Sequence, residues 1–122
     1  MNGVKHLLFV DDEEEILYIL QDLFSSDEYK LHIATRGEDA LQILENNYID
    51  LIFSDLKLPD INGWELLNCA KDKNPETVRI LTSGYLELNY GTILEDEKDG
   101  TLYVSKPWDI HGLKSLVVNR LS

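Results

Sequence analysis

The stretch DLIFSDLKLPDINGW, residues 50–64, places a carboxylate at the end of a buried strand. Its first part, DLIFS (50–54), is apolar enough to form a strand inside a core, and Asp55 follows directly. Pro59 and Gly63 then mark a loop. A carboxylate at the edge of an apolar core costs free energy unless a cation or a hydrogen-bond donor pairs with it. Other parts of the chain must therefore supply the groups that compensate Asp55.

Length and charge limit the classes of protein to which the chain can belong. The 122 residues fit one domain, which we expect to span residues 1–122. Acidic residues outnumber basic residues by 23 to 11, and the net charge is -12. Such a surface repels nucleic acid and anionic membranes, so we expect direct binding of neither. No signal peptide is visible, and no stretch approaches the roughly 18 apolar residues that span a bilayer, so we expect a cytoplasmic protein.

Short apolar runs alternate with helical patterns along the chain. The five predicted strands are HLLFV (6–10), KLHIA (30–34), DLIFS (50–54), VRILT (78–82) and TLYVS (101–105). A helix is predicted after each strand, and the fourth is placed on Leu86, Tyr90, Ile93 and Leu94. Gly91 lies within that fourth helix and disfavours it by about 1 kcal/mol relative to Ala. Five strands alternating with five helices indicate an α/β fold, a doubly wound parallel sheet.

Polar residues stand at the ends of four predicted strands, where ligands bind in sheets of this kind. They are Asp11 and Asp12 after the first strand, Asp55 after the third, Thr82 and Ser83 at the end of the fourth, and Lys106 after the fifth. Each has an ordinary alternative explanation, since an acid after a strand is often a helix cap and a lone lysine is usually solvated. Their coincidence at one edge of a sheet favours a site.

The chemistry of such a site follows from its charges. Three carboxylates close together repel one another, so a cation must join them or some must bind protons. Oxygen ligands without cysteine or histidine suit Mg²⁺. A carboxylate beside Mg²⁺ can act as a nucleophile toward phosphorus, while an ammonium group and a hydroxyl bind the phosphoryl oxygens.

Four segments together resemble the receiver domain of two-component response regulators. They are FVDDEEEIL (9–17), DLIFSDLKLPDINGWEL (50–66), ILTSGY (80–85) and YVSKPW (103–108), in the order and at the spacing of that family. The resemblance implies a flavodoxin-like (CheY-like) fold, with five parallel strands in the order 2-1-3-4-5 and five helices. It also implies a phosphoacceptor domain of a phosphorelay, whose phosphoryl donor is a histidine kinase or a histidine phosphotransfer protein.

The resemblance also implies the roles of single residues. Asp55 is the expected phosphoacceptor, and Lys106 is expected to pair with the phosphoryl group and to precede a cis bond to Pro107. The expected Mg²⁺ ligands are Asp11, Asp12, Asp55 and the backbone carbonyl of Lys57. Ser83, which precedes Gly84, matches the switch hydroxyl of the family better than Thr82 does. Lys57 and Tyr85 occupy positions that tune how long the aspartyl phosphate survives.

The implied output is a change of surface. Ser83 is expected to move toward the phosphoryl group, which opens space that Tyr103 fills by turning inward. The changed surface consists of the fourth predicted helix, the fifth predicted strand and the fifth predicted helix. A downstream effector or a covalently attached output domain is the expected reader, and a homodimer could form through the same surface.

Two other functions fit the same residues less well. A phosphorylation-independent interaction module could keep the fold, but it would not need the full set of acids, hydroxyl and lysine. A Mg²⁺-dependent phosphohydrolase would need a second acid near its nucleophile, whereas residue 57 is lysine. We therefore expect a signalling domain that phosphorylates and dephosphorylates itself rather than a turnover enzyme.

Overall fold

Successive residues of the buried strands point to opposite faces of one mixed sheet. The computed structural model describes residues 3–84 and 93–122. Its strands are β1 (Lys5–Val10), β2 (Tyr29–Ala34), β3 (Leu51–Asp55), β4 (Val78–Ser83), β5 (Ile93–Glu95) and β6 (Leu102–Ser105). Its helices are α1 (Glu14–Leu23), α2 (Gly37–Asn46), α3 (Gly63–Lys73) and α4 (Ile110–Leu121). The strands lie in the order β2-β1-β3-β4-β6-β5, and all neighbours are parallel except β5 and β6.

The alternation of the strands creates two apolar layers, one on each face. In β1, Leu7 and Phe9 pack in one cluster with buried residues of α1 and α4. Leu8 and Val10 pack in the other cluster, with α2 and α3. Helices therefore cover both faces of the sheet, as expected for parallel strands joined by helical crossovers. The carboxyl ends of β1, β3, β4 and β6 consequently emerge together at one edge.

The described helices are short. Each of the four has 10 to 12 residues. Within residues 3–84 and 93–122, no helix has both the length and the apolar character that a membrane span requires.

The prediction of a fourth helix is wrong over the residues that can be compared. Ile93 and Leu94 lie in β5, opposite Val104 and Tyr103 of β6, whereas Leu86 and Tyr90 lie outside the described residues. Pairing of Ile93 and Leu94 with an existing strand outweighs their helical spacing, because β-branched and aromatic cross-strand neighbours stabilise a ladder. The described chain therefore has six strands and four helices instead of five and five. The five parallel strands lie in the order β2-β1-β3-β4-β6, in which β6 is the fifth predicted strand. The predicted order lacked β5, which adds an antiparallel edge strand beside β6.

Two histidines meet on neighbouring strands at the edge of the sheet. The parallel register places His6 of β1 beside Lys30 of β2, and Leu8 beside His32. A ring hydrogen bond joins His6 Nδ1 and His32 Nε2 over 2.9 Å. Burial lowers the pKa of His32, and the positive charges of His6 and Lys30 lower it further. The folded chain therefore holds a proton on His32 less readily than the unfolded chain does.

We expect the substitution His32→Gln to make folding less sensitive to acid. Because the pKa of His32 is lowered in the folded state, the unfolded state binds more protons, and the wild type loses stability as the pH falls below about 6.5. Urea unfolding at about pH 7.5 and about pH 5.5 measures this loss. His111→Gln is the matched control, since His111 is exposed at the start of α4. If the wild type and His32→Gln lost the same stability between the two pH values, His32 would not be the source of the acid sensitivity.

Candidate functional site

Three carboxylates converge where β1 and β3 end. Asp11 and Asp12 follow β1, Asp55 is the last residue of β3, and one oxygen of each lies within 4.8 Å of the others. Asp11 is 1% exposed and Asp55 is 8% exposed, whereas Asp12 faces solvent. The predicted acidic cluster is therefore present, with Asp11 and Asp55 buried and Asp12 at the surface.

Lys106 supplies the cation that compensates the buried acids. Its Nζ lies 3.1 Å from Asp11 Oδ2 and 3.4 Å from Asp55 Oδ1. The other oxygen of Asp11 accepts a hydrogen bond from the backbone N–H of Glu13, at 2.9 Å. The Lys106–Pro107 peptide bond is cis, as predicted. The side chain that follows β6 thus reaches back across the sheet to the ends of β1 and β3.

The pKa shifts of Asp55 and Lys106 follow from burial and from these contacts. Burial raises the pKa of Asp55, and the neighbouring carboxylates of Asp11 and Asp12 add to the rise, although Lys106 opposes it. Burial alone would lower the pKa of Lys106, but the charges and hydrogen bonds of Asp11 and Asp55 outweigh it and raise that pKa. The lysine is therefore held in its charged form, while the charged form of Asp55 is disfavoured unless a further cation joins the cluster.

The loop between β3 and α3 is held against α2 by Asp60. Its two carboxylate oxygens accept hydrogen bonds from the backbone N–H groups of Gly37 and Glu38, both at 2.8 Å. The hydrogen bond from Glu38 is the largest cause of the lowered pKa of Asp60. Burial opposes this shift, and the hydrogen bond from Gly37 adds to it. Asp60 thus caps α2 from a distant part of the chain and fixes the loop that follows Asp55.

The two adjacent hydroxyl residues of β4 have different surroundings. Ser83 is 1% exposed at the strand end, and its carbonyl accepts the backbone N–H of Lys106 at 3.2 Å. Thr82 is fully buried, pairs in register with Asp55, and its hydroxyl accepts the indole N–H of Trp108 at 2.7 Å. The Thr82 hydroxyl is therefore already hydrogen-bonded in the interior, whereas Ser83 lies next to the loop that carries Lys106.

Tyr103 lies half-buried on the α3 face of β6. Its ring meets the ring of Trp64 edge-on, with centroids 5.5 Å apart. Burial, together with the charges of Asp99 and Asp96, raises the pKa of Tyr103 to about 12. The phenol therefore stays neutral, and its ring already contacts the helix that follows the Asp55 loop.

The remaining predicted residues lie at the rim or beyond the described part. Lys57 is exposed in the loop after Asp55, where it forms an isolated antiparallel bridge with Asn62. Tyr85 lies outside the described residues. The structure thus brings together Asp11, Asp12, Asp55 and Lys106, and sets Ser83 beside them.

Sequence patterns did not predict the contacts that three residues make. They are Asp60, Trp64 and Trp108, whose contacts join residues far apart in the chain. One signal was present for Trp108, because Thr82 is a polar residue within the buried run of β4. A buried hydroxyl requires a partner, and a tryptophan N–H is a donor that requires an acceptor.

The donor set of the cluster fits a magnesium ion. Its members are carboxylate oxygens close enough to share one ion. Mg²⁺ prefers such hard oxygen ligands and is usually bound by one or two carboxylates together with water and phosphate. An ion of this kind would also compensate the negative charge that Lys106 alone leaves in excess.

Comparisons of sequence point to one family. A family model described as the response regulator receiver domain matches residues 7–118. Response regulator SaeR of Staphylococcus aureus (strain USA300) is 30% identical over 117 residues, which cover 96% of this chain and 50% of SaeR. Regulatory protein AtoC of Escherichia coli (strain K12) is 29% identical over 121 residues, which cover 98% of this chain and 26% of AtoC. The chain thus spans half or less of the length of these curated relatives.

A solved structure gives the same result. It is the crystal structure of the signal receiver domain of an HD domain-containing protein from Pseudomonas fluorescens Pf-5, which matches with a TM-score of 0.82 and 33% sequence identity. The match covers 99% of this chain and 89% of that one. Both the fold and the sequence are therefore similar over nearly the whole length.

We expect Gly63→Ala to lower the free energy of unfolding by about 1–3 kcal/mol, a usual cost of overpacking. An added Cβ would overlap the backbone oxygen of Asp55, so α3 or the strand end would have to shift. Gly3→Ala is the control, because a Cβ there meets nothing within 4 Å. Denaturant unfolding of both variants measures the difference. A Gly63→Ala protein as stable as Gly3→Ala would show that the close approach is not needed.

Proposed function

Since the chain belongs to the response regulator receiver domain family, we propose that Asp55 accepts a phosphoryl group from a histidine kinase or a histidine phosphotransfer protein. The observation that carries this assignment is the Lys106 ammonium, 3.4 Å from Asp55 Oδ1 and 3.1 Å from Asp11 Oδ2. This arrangement places one cation in contact with two of the three clustered carboxylates. A nucleophilic carboxylate and a group that binds phosphoryl oxygens are thus in reach of one another.

The proposed step exchanges one bond to phosphorus for another. An Asp55 carboxylate oxygen attacks the phosphorus of a phosphohistidine and forms a P–O bond. The P–N bond breaks, and the donor imidazole keeps its electron pair. Lys106 pairs with a phosphoryl oxygen, and the Ser83 hydroxyl at the neighbouring strand end binds another. Hydrolysis of the resulting aspartyl phosphate resets the domain, so it acts as a signalling module rather than a turnover enzyme on free substrates.

The proposed metal ion is Mg²⁺. Asp11, Asp12 and Asp55 would hold it, with the backbone carbonyl of Lys57 as a further ligand. The ion supplies positive charge that offsets repulsion between the carboxylates and an incoming phosphoryl group. Asp12 is exposed, which leaves the cluster open to solvent on the side from which a donor would approach.

The proposed output is carried by β6 and α4, with Ser83 and Tyr103 as the switch. Phosphorylation adds negative charge and acceptor oxygens at Asp55, which draws Ser83 toward the phosphoryl group. Tyr103 lies one strand away, half-buried against Trp64, so a change in its packing would alter the α3 face of β6, where Tyr103 is partly exposed. A downstream effector or an attached output domain would read that face. We propose that this signalling takes place in the cytoplasm.

The first test is phosphorylation by a small donor. With Mg²⁺ and acetyl phosphate, we expect the wild type to gain the mass of one phosphoryl group, and Asp55→Asn to gain none, because only the carboxylate can form the acyl phosphate. Intact-mass spectrometry measures both proteins after the same incubation. Wild type without an adduct, together with no response to beryllofluoride, would refute the proposal and favour the phosphorylation-independent module of the same fold.

The second test concerns the metal. We expect Mg²⁺ to raise the thermal unfolding midpoint of the wild type, because an ion that binds only the folded state at about ten times its Kd contributes about 1.4 kcal/mol. Asp12→Asn removes one carboxylate from the exposed side of the cluster and should weaken this effect. Differential scanning calorimetry with Mg²⁺ and with EDTA measures it. If Mg²⁺ raised the unfolding midpoints of the wild type and Asp12→Asn equally, Asp12 would not be a ligand of the ion.

A further inference from the structure

Trp108 turns back under the site from the loop that carries Lys106. It lies two residues beyond Lys106, and only 8% of its surface is exposed. Its ring meets Phe53 of β3 edge-on, with centroids 5.2 Å apart. The Lys106 Nζ lies over the indole, 5.8 Å from the ring centroid, within the range of a cation–π interaction. The indole of Trp108 therefore packs beneath the Lys106 ammonium group.

The indole N–H of Trp108 is hydrogen-bonded to the hydroxyl of Thr82. Trp108 Nε1 donates to Thr82 Oγ1 at 2.7 Å, and Thr82 has no exposed surface. The backbone of Thr82 is tied to the strand of Asp55, since its carbonyl accepts the N–H of Leu56 at 2.9 Å. A buried hydrogen bond of this kind is costly to break, because it leaves a donor and an acceptor without partners. The indole is thus fixed relative to Asp55.

A continuous series of contacts therefore runs from Thr82 through Trp108 to Lys106 and Asp55. Lysine has a long flexible side chain, and holding it in one place costs conformational entropy. A group that restricts the ammonium before the donor arrives removes part of that cost from the reaction. The fixed indole offers such a restriction, on the side of Lys106 that faces the interior.

We propose that Thr82 and Trp108 are positioning residues that hold the Lys106 ammonium against Asp55 for phosphoryl transfer. This inference rests on the proposed function of Asp55. Thr82 then has a role distinct from that of Ser83, since its hydroxyl acts on the indole and not on the phosphoryl group.

The test compares phosphorylation rates by acetyl phosphate in the presence of Mg²⁺. Thr82→Val keeps the shape of the side chain and removes the acceptor, and Trp108→Phe keeps an aromatic face and removes the donor. We expect each to slow phosphorylation about fivefold, the effect of about 1 kcal/mol on the barrier. Thr82→Ser keeps the hydroxyl and should restore most of the rate. The double variant should be no slower than the slower single variant, since both changes break the same bond.

Thr77→Val provides the matched control for lost stability. The Thr77 hydroxyl donates to the carbonyl of Ile49 at 2.8 Å, and Thr77 is also buried, but it precedes β4 at the opposite end of the sheet. We expect Thr77→Val to lower the free energy of unfolding and to leave the phosphorylation rate unchanged. Urea unfolding of every variant identifies those that are folded, and Trp108→Phe carries the test if Thr82→Val does not fold.

The outcomes separate this inference from the function on which it rests. A wild type that takes up no phosphate refutes the assignment of Asp55 itself. A wild type that is phosphorylated, with Thr82→Val and Trp108→Phe equally fast, overturns only the positioning role. The same conclusion follows if Thr77→Val slows the reaction as much as Thr82→Val, or if Thr82→Ser is no faster than Thr82→Val.

Discussion

The ion pairs of Lys106 are the interactions on which the carboxyl edge of the sheet depends. Asp11 is 1% exposed and Asp55 is 8% exposed, and carboxylates in such surroundings are tolerated only when a charge or donor compensates them. The compensating group follows β6, which β4 separates from β3, so β1, β3 and β6 must all be correctly placed before Lys106 can pair with both acids. Fold and site are therefore stabilised by the same contacts.

Much of this arrangement could be predicted because it follows from local sequence patterns. Apolar runs of strand length, separated by helical spacing, predict the five parallel strands, and their carboxyl ends must meet at one edge. Asp11, Asp12, Asp55 and Lys106 each follow such a run directly. A cluster of acids with one lysine thus follows from the topology, before any contact is measured.

The features that could not be predicted depend on contacts between distant parts of the chain. Asp60 caps α2 from 23 residues away, and nothing in its own neighbourhood distinguishes it from a loop acid. The bond between Trp108 and Thr82 joins residues 26 apart. β5 was missed because Ile93 and Leu94 have the spacing of a helix face, and only the presence of β6 as a neighbour makes them a strand. Local propensity is a weak guide wherever a long-range partner decides the structure.

The edge strand β5 also bears on solubility. All three of its residues are exposed, and Ile93 and Leu94 are apolar, which are properties of strands that pair with other molecules and aggregate. Glu95 is the last residue of β5 and is followed by Asp96 and Glu97, and acids at the end of an apolar strand act as gatekeepers against such pairing. The strongly negative chain adds a general repulsion between copies. Substitution of these carboxylates by neutral residues would therefore leave β5 as the place where self-association begins.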